Sequence, residues 1–193
     1  MESRMRKLVY YVGVSLDGYI AGPDGEWDFY PVGDDLMAYM NTQFPEVVPA
    51  HVRAAIGLEA DPVRYDTLIM GRGTYEPALD LGIASPYSPL RQYVVSTTLG
   101  AVDHPDVEVV SEDPVALVRR LKAEDGRDIY LAGGGRLAAA LLPEIDEMIL
   151  KLYPVVAGAG VPVFAGGFRP TLFTLTGSRT FTGGTMVLNY DRA

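Results

Sequence analysis

The sequence predicts an α/β protein built on one mixed, mostly parallel central sheet of about eight strands with flanking helices. Three observations carry that expectation. Short apolar runs rich in Val, Ile, Tyr and Thr alternate with helix-forming stretches as far as residue 145, and strands separated by helices imply parallel crossovers. Beyond that point the helical pattern stops and strand-forming runs continue, joined by Gly-rich turns such as Gly183-Gly184. That change suits an antiparallel hairpin at the end of the sheet. The 21 glycines and 14 prolines fall between the runs rather than in one linker, so residues 1–193 are expected to form a single domain.

The strand-forming runs are 8–14, 67–70, 92–96, 107–110, 129–131, 148–156, 172–176 and 185–190, each bounded by Gly, Pro, Asp or Ser. Helices are expected at 34–40, 46–58, 74–79, 113–123 and 135–142. The fourth is best signalled: Asp113 as N-cap, Pro114 in the first turn, Leu117 and Leu121 four apart, and Gly126 beyond the end.

Composition narrows the functional classes. With 48% hydrophobic and 21% charged residues the chain is neither disordered nor fibrous. At 193 residues folding buries roughly 70% of the unfolded surface. Sixteen Lys and Arg against 25 Asp and Glu give a net charge of −9, so no basic face is expected for nucleic acid. The absence of cysteine removes disulfides, Fe–S clusters, thiol nucleophiles and thiolate zinc sites. His51 and His104 are far apart in sequence, and no metal site is expected. No run of 18 apolar residues occurs, and the stretch after Arg4, Arg6 and Lys7 is too short for a signal peptide. A cytoplasmic protein without a membrane partner is expected.

Three strand ends carry the chemistry. In Ala132-Gly133-Gly134-Gly135-Arg136-Leu137 a strand runs through a glycine turn into a helix, which is either an anion site or simply a tight turn. The dinucleotide fingerprint with this spacing needs an acid at the end of the next strand, and Leu152-Tyr153-Pro154-Val155 supplies none. In Met70-Gly71-Arg72-Gly73-Thr74-Tyr75-Glu76, Gly71 permits the turn, Thr74 can cap the helix, and Arg72 offers a planar donor fork. The bland alternative is a capped helix with a solvated arginine. Val95-Ser96-Thr97-Thr98 ends a strand on three hydroxyls. Strand ends of a parallel sheet open on one edge, so one extended ligand with several phosphates could touch all three. Trp27, Phe29 and Tyr30 are either a stacking surface for a flat ring or a loop packed on the core.

The order and spelling of these segments resemble the dihydrofolate reductase superfamily, closest to the reductase (C-terminal) domain of bifunctional riboflavin-biosynthesis proteins and its stand-alone relatives. Met70-Gly71-Arg72-x-Thr74-x-Glu76 is similar to the family's cofactor signature, and Ser15-Leu16-Asp17-Gly18-Tyr19-Ile20-Ala21 to its opening. Ile145-Asp146-Glu147 through Pro154 and Gly160-Val161-Pro162-Val163-Phe164 resemble its later pattern. The resemblance implies a three-layer dihydrofolate reductase-like fold and an oxidoreductase using NADPH. Gly71, Arg72 and Thr74 would hold cofactor phosphates, Val95, Ser96 and Thr97 the 2′-phosphate side, and Gly133, Gly134, Gly135 and Arg136 the pyrophosphate. Leu16, Asp17, Ile20 and Ala21 would border the nicotinamide. It also implies a cis Gly133–Gly134 peptide and a homodimer, for which the Tyr- and Thr-rich C-terminal strands offer an edge.

The implied substrate is a flat nitrogen heterocycle of riboflavin-precursor type, with 5-amino-6-(5-phosphoribosylamino)uracil reductase-like activity. A pterin reductase and an NADPH-binding module without turnover are the alternatives. Asp35 matches the folate reductases' substrate carboxylate in Asp35-Leu36, and would be catalytic; as a plain helix residue it sits in the first turn beside Asp34. Ala138 stands where folate reductases usually carry Tyr. Arg53, Arg64 and Lys151 are available to a substrate phosphate. Without cysteines the chain cannot carry the zinc deaminase of the bifunctional enzymes.

Overall fold

Strict alternation along the first strand, β1 (Leu8–Val14), divides the core in two. Leu8, Tyr10 and Val12 point to one side of the sheet, and Val9 and Tyr11 to the other. The computed structural model describes residues 5–193; Arg4 lies outside them. The remaining strands are β2 (Tyr19–Ala21), β3 (Tyr65–Gly71), β4 (Arg91–Val95), β5 (Val107–Val110), β6 (Asp128–Gly133), β7 (Glu147–Leu152), β8 (Val161–Pro162), β9 (Phe173–Thr180) and β10 (Met186–Arg192). The helices are α1 (Asp34–Gln43), α2 (Ala50–Ile56), α3 (Arg72–Asp80), α4 (Pro114–Lys122) and α5 (Gly135–Leu141).

Eight strands form the sheet in the order β5-β4-β3-β6-β1-β7-β10-β9. Neighbours from β5 to β7 are parallel, and β10 closes the end antiparallel to both β7 and β9. The fold is therefore the mixed, mostly parallel, dihydrofolate reductase-like α/β class that the sequence predicts. Leu36 of α1 and Tyr75 of α3 pack on the Val9/Tyr11 face, while Leu117 and Leu121 of α4 and Leu137 and Leu141 of α5 pack on the other. The chain moves outward from β1 through β3 and β4 to β5, then returns to β6. The helices change face with that reversal, as right-handed crossovers require. The carboxyl ends of all six parallel strands thus meet at one edge.

Several expected elements differ in extent. The expected helix at 46–58 breaks into a single turn, Pro45–Val47, and α2, because Pro49 disfavours helical backbone at the residue before it. Glu46, fully buried in that turn, accepts hydrogen bonds from the amides of Val63, Arg64 and Tyr65 at 3.2, 2.7 and 2.7 Å and fixes the start of β3. The expected cap Thr74 lies inside α3, whose N-cap is Gly71. The run expected at 148–156 stops at Leu152, and the short pair β2–β8 was not expected. Three-residue and two-residue strands are too short to show a period. Among the described residues no helix is long and apolar enough to cross a membrane.

The pair β2–β8 is seated by a close approach. A Cβ on Gly135 would lie 2.0 Å from the Pro162 carbonyl oxygen, whereas one on Gly73 meets nothing within 4 Å. Gly135→Ala is therefore expected to destabilise the fold by about 1–3 kcal/mol, through forced displacement of β8. Gly73→Ala should be neutral or stabilising by up to about 1 kcal/mol. Thermal melts of the two variants check the contrast, and equal losses would contradict it.

Candidate active site at the carboxyl edge of the sheet

Two glycine turns stand side by side at the ends of the paired strands β3 and β6. A Cβ on Gly71 would lie 3.7 Å from both the Gly133 carbonyl oxygen and the Gly134 nitrogen. Gly133 has φ +105°, a backbone that favours glycine, and the Gly133–Gly134 peptide is cis. Gly71 and Gly134 are the N-caps of α3 and α5, and neither helix start receives a side-chain cap. α4 differs from these two: Asp113 caps it, accepting from the Val115 amide at 3.0 Å. A helix start leaves amide donors unsatisfied and carries positive partial charge. Two such starts without their own acceptors, on adjacent strands, suit a ligand with linked anionic groups.

Arg72 extends this surface toward β4. Its Nε donates to Glu76 Oε1 at 2.5 Å and its Nη1 to Thr98 Oγ1 at 2.6 Å, all on the exposed side. The hydroxyl that meets Arg72 is thus Thr98 rather than Ser96 or Thr97. Ser96 is nearly buried, and its Oγ accepts from the amides of Thr98 and Leu99, shaping the turn. Thr97 is exposed, Thr74 half-buried, and Val95 ends β4 opposite Gly71 and Val110. Arg136 is exposed and makes no hydrogen bond or ion pair within the described residues.

The segment after β1 closes over the glycine turn. Ile20 Cδ1 lies 3.9 Å from a Cβ built on Gly133, so Ile20 borders the turn. Ala21 instead seats the 160 loop: a Cβ on Gly160 would meet its carbonyl oxygen at 2.0 Å. Leu16 is exposed, with its amide donating to the Val155 carbonyl at 2.8 Å. Asp17 fastens two loops. Its Oδ1 accepts from Ser15 Oγ at 2.6 Å and the Ala157 amide at 2.9 Å, and its Oδ2 from the Gly158 amide at 2.7 Å.

Asp35 differs most from expectation. It is exposed; Oδ1 accepts from the Leu36 amide at 2.9 Å and Oδ2 from the Thr182 amide at 2.8 Å. The Thr182 amide holds its pKa below the ordinary carboxylate value, the wrong direction for a proton donor near neutral pH. In this structure Asp35 ties α1 to the β9–β10 turn.

Aromatic rings cover the Val9/Tyr11 face near the same edge. Tyr30 stacks on Tyr153 at 4.5 Å and packs against Phe29 at 4.4 Å, while Trp27 is 70% exposed. The loop reading therefore holds for Phe29 and Tyr30. Of the three basic residues open to a substrate, Arg64 lies at the opposite edge on Glu147 and Asp128, and Arg53 donates to the Ser88 carbonyl. Lys151 sits at the carboxyl edge, its Nζ 4.4 Å from the centre of the Tyr11 ring.

Asp17 also sets a pH dependence. Hydrogen bonds, first from Ser15 and then from the Ala157 amide, lower its pKa from 3.8 to about 2. A depressed carboxylate stabilises fully above its unfolded value and loses that contribution as pH falls through the folded one. Exchange protection of the Ala157 and Gly158 amides should therefore be constant from neutral pH down to about 4 and fall between about 4 and 2. Loss of protection already near neutrality, in a pH series of hydrogen exchange, would contradict the assignment.

Comparisons with known proteins bear on the fold and the family. Over 190 residues the chain is 34% identical to the uncharacterized protein YwjB of Bacillus subtilis, covering 97% of this chain and 99% of that one. YyaP of the same organism is 24% identical over 200 residues, with 97% and 95% covered. The crystal structure of a putative riboflavin biosynthesis protein from Shewanella sp. PV-4 superposes with a TM-score of 0.71 at 26% identity, covering 97% of this chain and 99% of that one. A Thermotoga maritima diaminohydroxyphosphoribosylaminopyrimidine deaminase/5-amino-6-(5-phosphoribosylamino)uracil reductase shares the fold, with a TM-score of 0.65 at 15% identity. This chain is 98% covered in that match and spans 57% of the longer protein. Residues 6–187 match the RibD C-terminal domain, and with the paired glycine turns on a reductase-type sheet the chain belongs to that family.

Proposed function

We propose that this chain is an NADPH-dependent reductase that transfers hydride to a flat nitrogen heterocycle of the riboflavin-precursor type, with activity like that of a 5-amino-6-(5-phosphoribosylamino)uracil reductase. The observation that carries the reading is the pair of adjacent glycine turns whose helix starts lack side-chain caps, extended by Arg72 toward Thr98. The donor set fits NADPH. Gly71 and Gly133 to Gly135 offer backbone donors without side chains in the way, Arg136 adds a free guanidinium, and Arg72 with Thr97 and Thr98 suits a 2′-phosphate. NADPH, when bound, supplies the hydride, so no protein nucleophile is needed.

The chain's own residues bind and orient. Ile20 closes on the Gly133 turn, Asp17 holds the covering loops together, and Gly135 admits β8 over α5. Asp35, exposed and hydrogen-bonded to backbone, does not offer the buried carboxylate that a pterin edge requires, which favours the pyrimidine reading. A cytoplasmic location without nucleic-acid or membrane partners goes with it. We also propose a homodimer through the exposed edge strand β9, near which Phe168, Leu172 and Leu175 are 98%, 79% and 52% exposed. Light scattering at micromolar concentration should read twice the chain mass, and a monomer mass would contradict this.

The experiment for the cofactor compares NADPH with NADH. Arg72→Ala should weaken NADPH by about tenfold or more, as loss of a charge-assisted contact to phosphate implies, and NADH by much less. Fluorescence titration with both nucleotides measures this. Equal changes in both dissociation constants would remove Arg72 from phosphate recognition.

A further inference from the structure

The sheet face that carries Leu8 and Tyr10 continues past β1 with little cover. The cross-strand pairs Leu150–Leu188, Met148–Tyr190 and Tyr190–Leu175 extend it over β7 and β10 to β9, and each of these side chains is half-buried or exposed. Beside them, Leu142, Phe164 and Phe173 line an open groove of about 550 Å³. Phe168 stands at its lip, 98% exposed, and Leu172 follows at 79%.

The ridge that carries Phe168 is tied closely on one side only. The Val163 and Ala165 amides donate to the Gly18 and Gly135 carbonyls at 2.9 and 3.0 Å. The Tyr10 hydroxyl donates to the Val163 carbonyl at 3.0 Å, and a Cβ on Gly166 would meet Ala139 Cβ at 2.7 Å. From Gly166 to Thr171, by contrast, the backbone makes no hydrogen bond to another described backbone group; the next is from the Ala193 amide to the Leu172 carbonyl at 3.2 Å. Large apolar side chains thus face water on a segment that its own chain holds mainly at the ends. Phe168 is three positions from Ala165, which is bonded to the first residue of α5. What seats the ridge therefore also seats β8.

A second copy of this chain suits the patch for three reasons. The groove and the Phe168 ring are neighbours on one surface, so a two-fold axis sets each ring at the other chain's groove, as an isologous interface requires. Arg169 is the only charged residue of the lining, so two chains of net charge −9 meet there without opposing carboxylates. Residues 164–180 with Ala139, Leu142 and Met148 offer about 20 residues, the number that one side of a standard interface of about 800 Å² uses. A small polar ligand fits poorly, since only Arg169 and Thr171 could orient it.

We propose that the groove beside Phe168 receives Phe168 of a second copy, and that this contact holds the 162–168 segment, with β8, down on the start of α5. The glycine-turn site is then complete only in the assembled pair. The proposal rests on the reductase reading for what binds at those turns, and it adds to the dimer a coupling between assembly and site. Assembly favours ligand at the turns, and by linkage the ligand favours assembly in return.

The test combines sedimentation, hydrogen exchange and NADPH titration on wild type, Phe168→Asp and a control, Leu81→Asp, at a residue 70% exposed beyond α3. Phe168 is almost wholly in solvent, so its replacement leaves the packing within one chain intact. Wild type and Leu81→Asp should sediment as dimers at micromolar concentration, and Phe168→Asp as a monomer. In Phe168→Asp the Val163 and Ala165 amides should exchange about tenfold faster or more, with smaller changes in β1 and β6. NADPH should bind that monomer about fivefold more weakly or worse, and should raise the wild-type association constant by the square of the same factor, since each pair holds two sites. A monomeric wild type, or a Phe168→Asp that stays dimeric, would overturn the proposal. So would a monomeric Phe168→Asp whose Val163 and Ala165 exchange, or whose NADPH affinity, stays within about twofold of wild type. If Phe168→Asp dissociates and loosens those amides but neither form binds NADPH, the contact is borne out and the reductase reading alone is lost.

Discussion

Everything at this site depends on two neighbouring parallel strands that end in glycine within one residue of each other in register. Hydrogen bonding between β3 and β6 sets Met70 against Gly133, and the absence of side chains lets the next residue, Gly71, lie within van der Waals reach of the Gly133–Gly134 peptide. Each turn feeds a helix directly, so the first amides of α3 and α5 are delivered to one place by the sheet itself. A side chain on Gly135 would lift β8 and, with it, the loops that Asp17 gathers. Glycine at these positions therefore serves packing and, in the proposed reading, ligand approach, and the two roles are separable by position.

The distribution of charge sharpens that edge. A chain with net charge −9 can bind a polyanion only where its carboxylates are engaged elsewhere. At the opposite edge, Lys7 and Arg64 share Glu147, Arg64 also reaches Asp128, and buried Arg6 is held by Asp66 and Thr67. Those contacts stitch the amino ends of β1, β3, β6 and β7 together. Among the described residues the cations at the carboxyl edge include Arg72, Arg136, Lys151 and Arg179, of which only Arg72 has a carboxylate partner, and that pair is exposed, where such a bridge is weak. Glu76 can yield to a phosphate at small cost.

Much of this was legible in the sequence because glycine spacing and apolar runs are local signals. The alternation of strands and helices, the Asp113 cap and the three strand ends all follow from residues close in the chain. What escaped depends on contacts distant in sequence. Ser96 turns inward to hold its own loop, leaving Thr98 to Arg72, and no local pattern distinguishes among three consecutive hydroxyls. Asp35 meets the Thr182 amide across 147 positions, a pairing created only when the C-terminal hairpin docks on α1. In the sequence Lys151 is one of three basic residues available to a substrate phosphate, with nothing to choose among them. Only the sheet register places it over Tyr11 and away from any carboxylate.

The central claim is that the paired glycine turns, and not another surface, receive the cofactor's phosphates. Amide chemical shifts followed by NMR during an NADPH titration test it most directly. The largest changes should fall on Gly71 to Thr74, Thr98 and Gly133 to Arg136, with little change at Arg6, Arg64 and Asp128 on the opposite edge. Saturable changes centred on that opposite edge, or none at the glycine turns, would contradict the account.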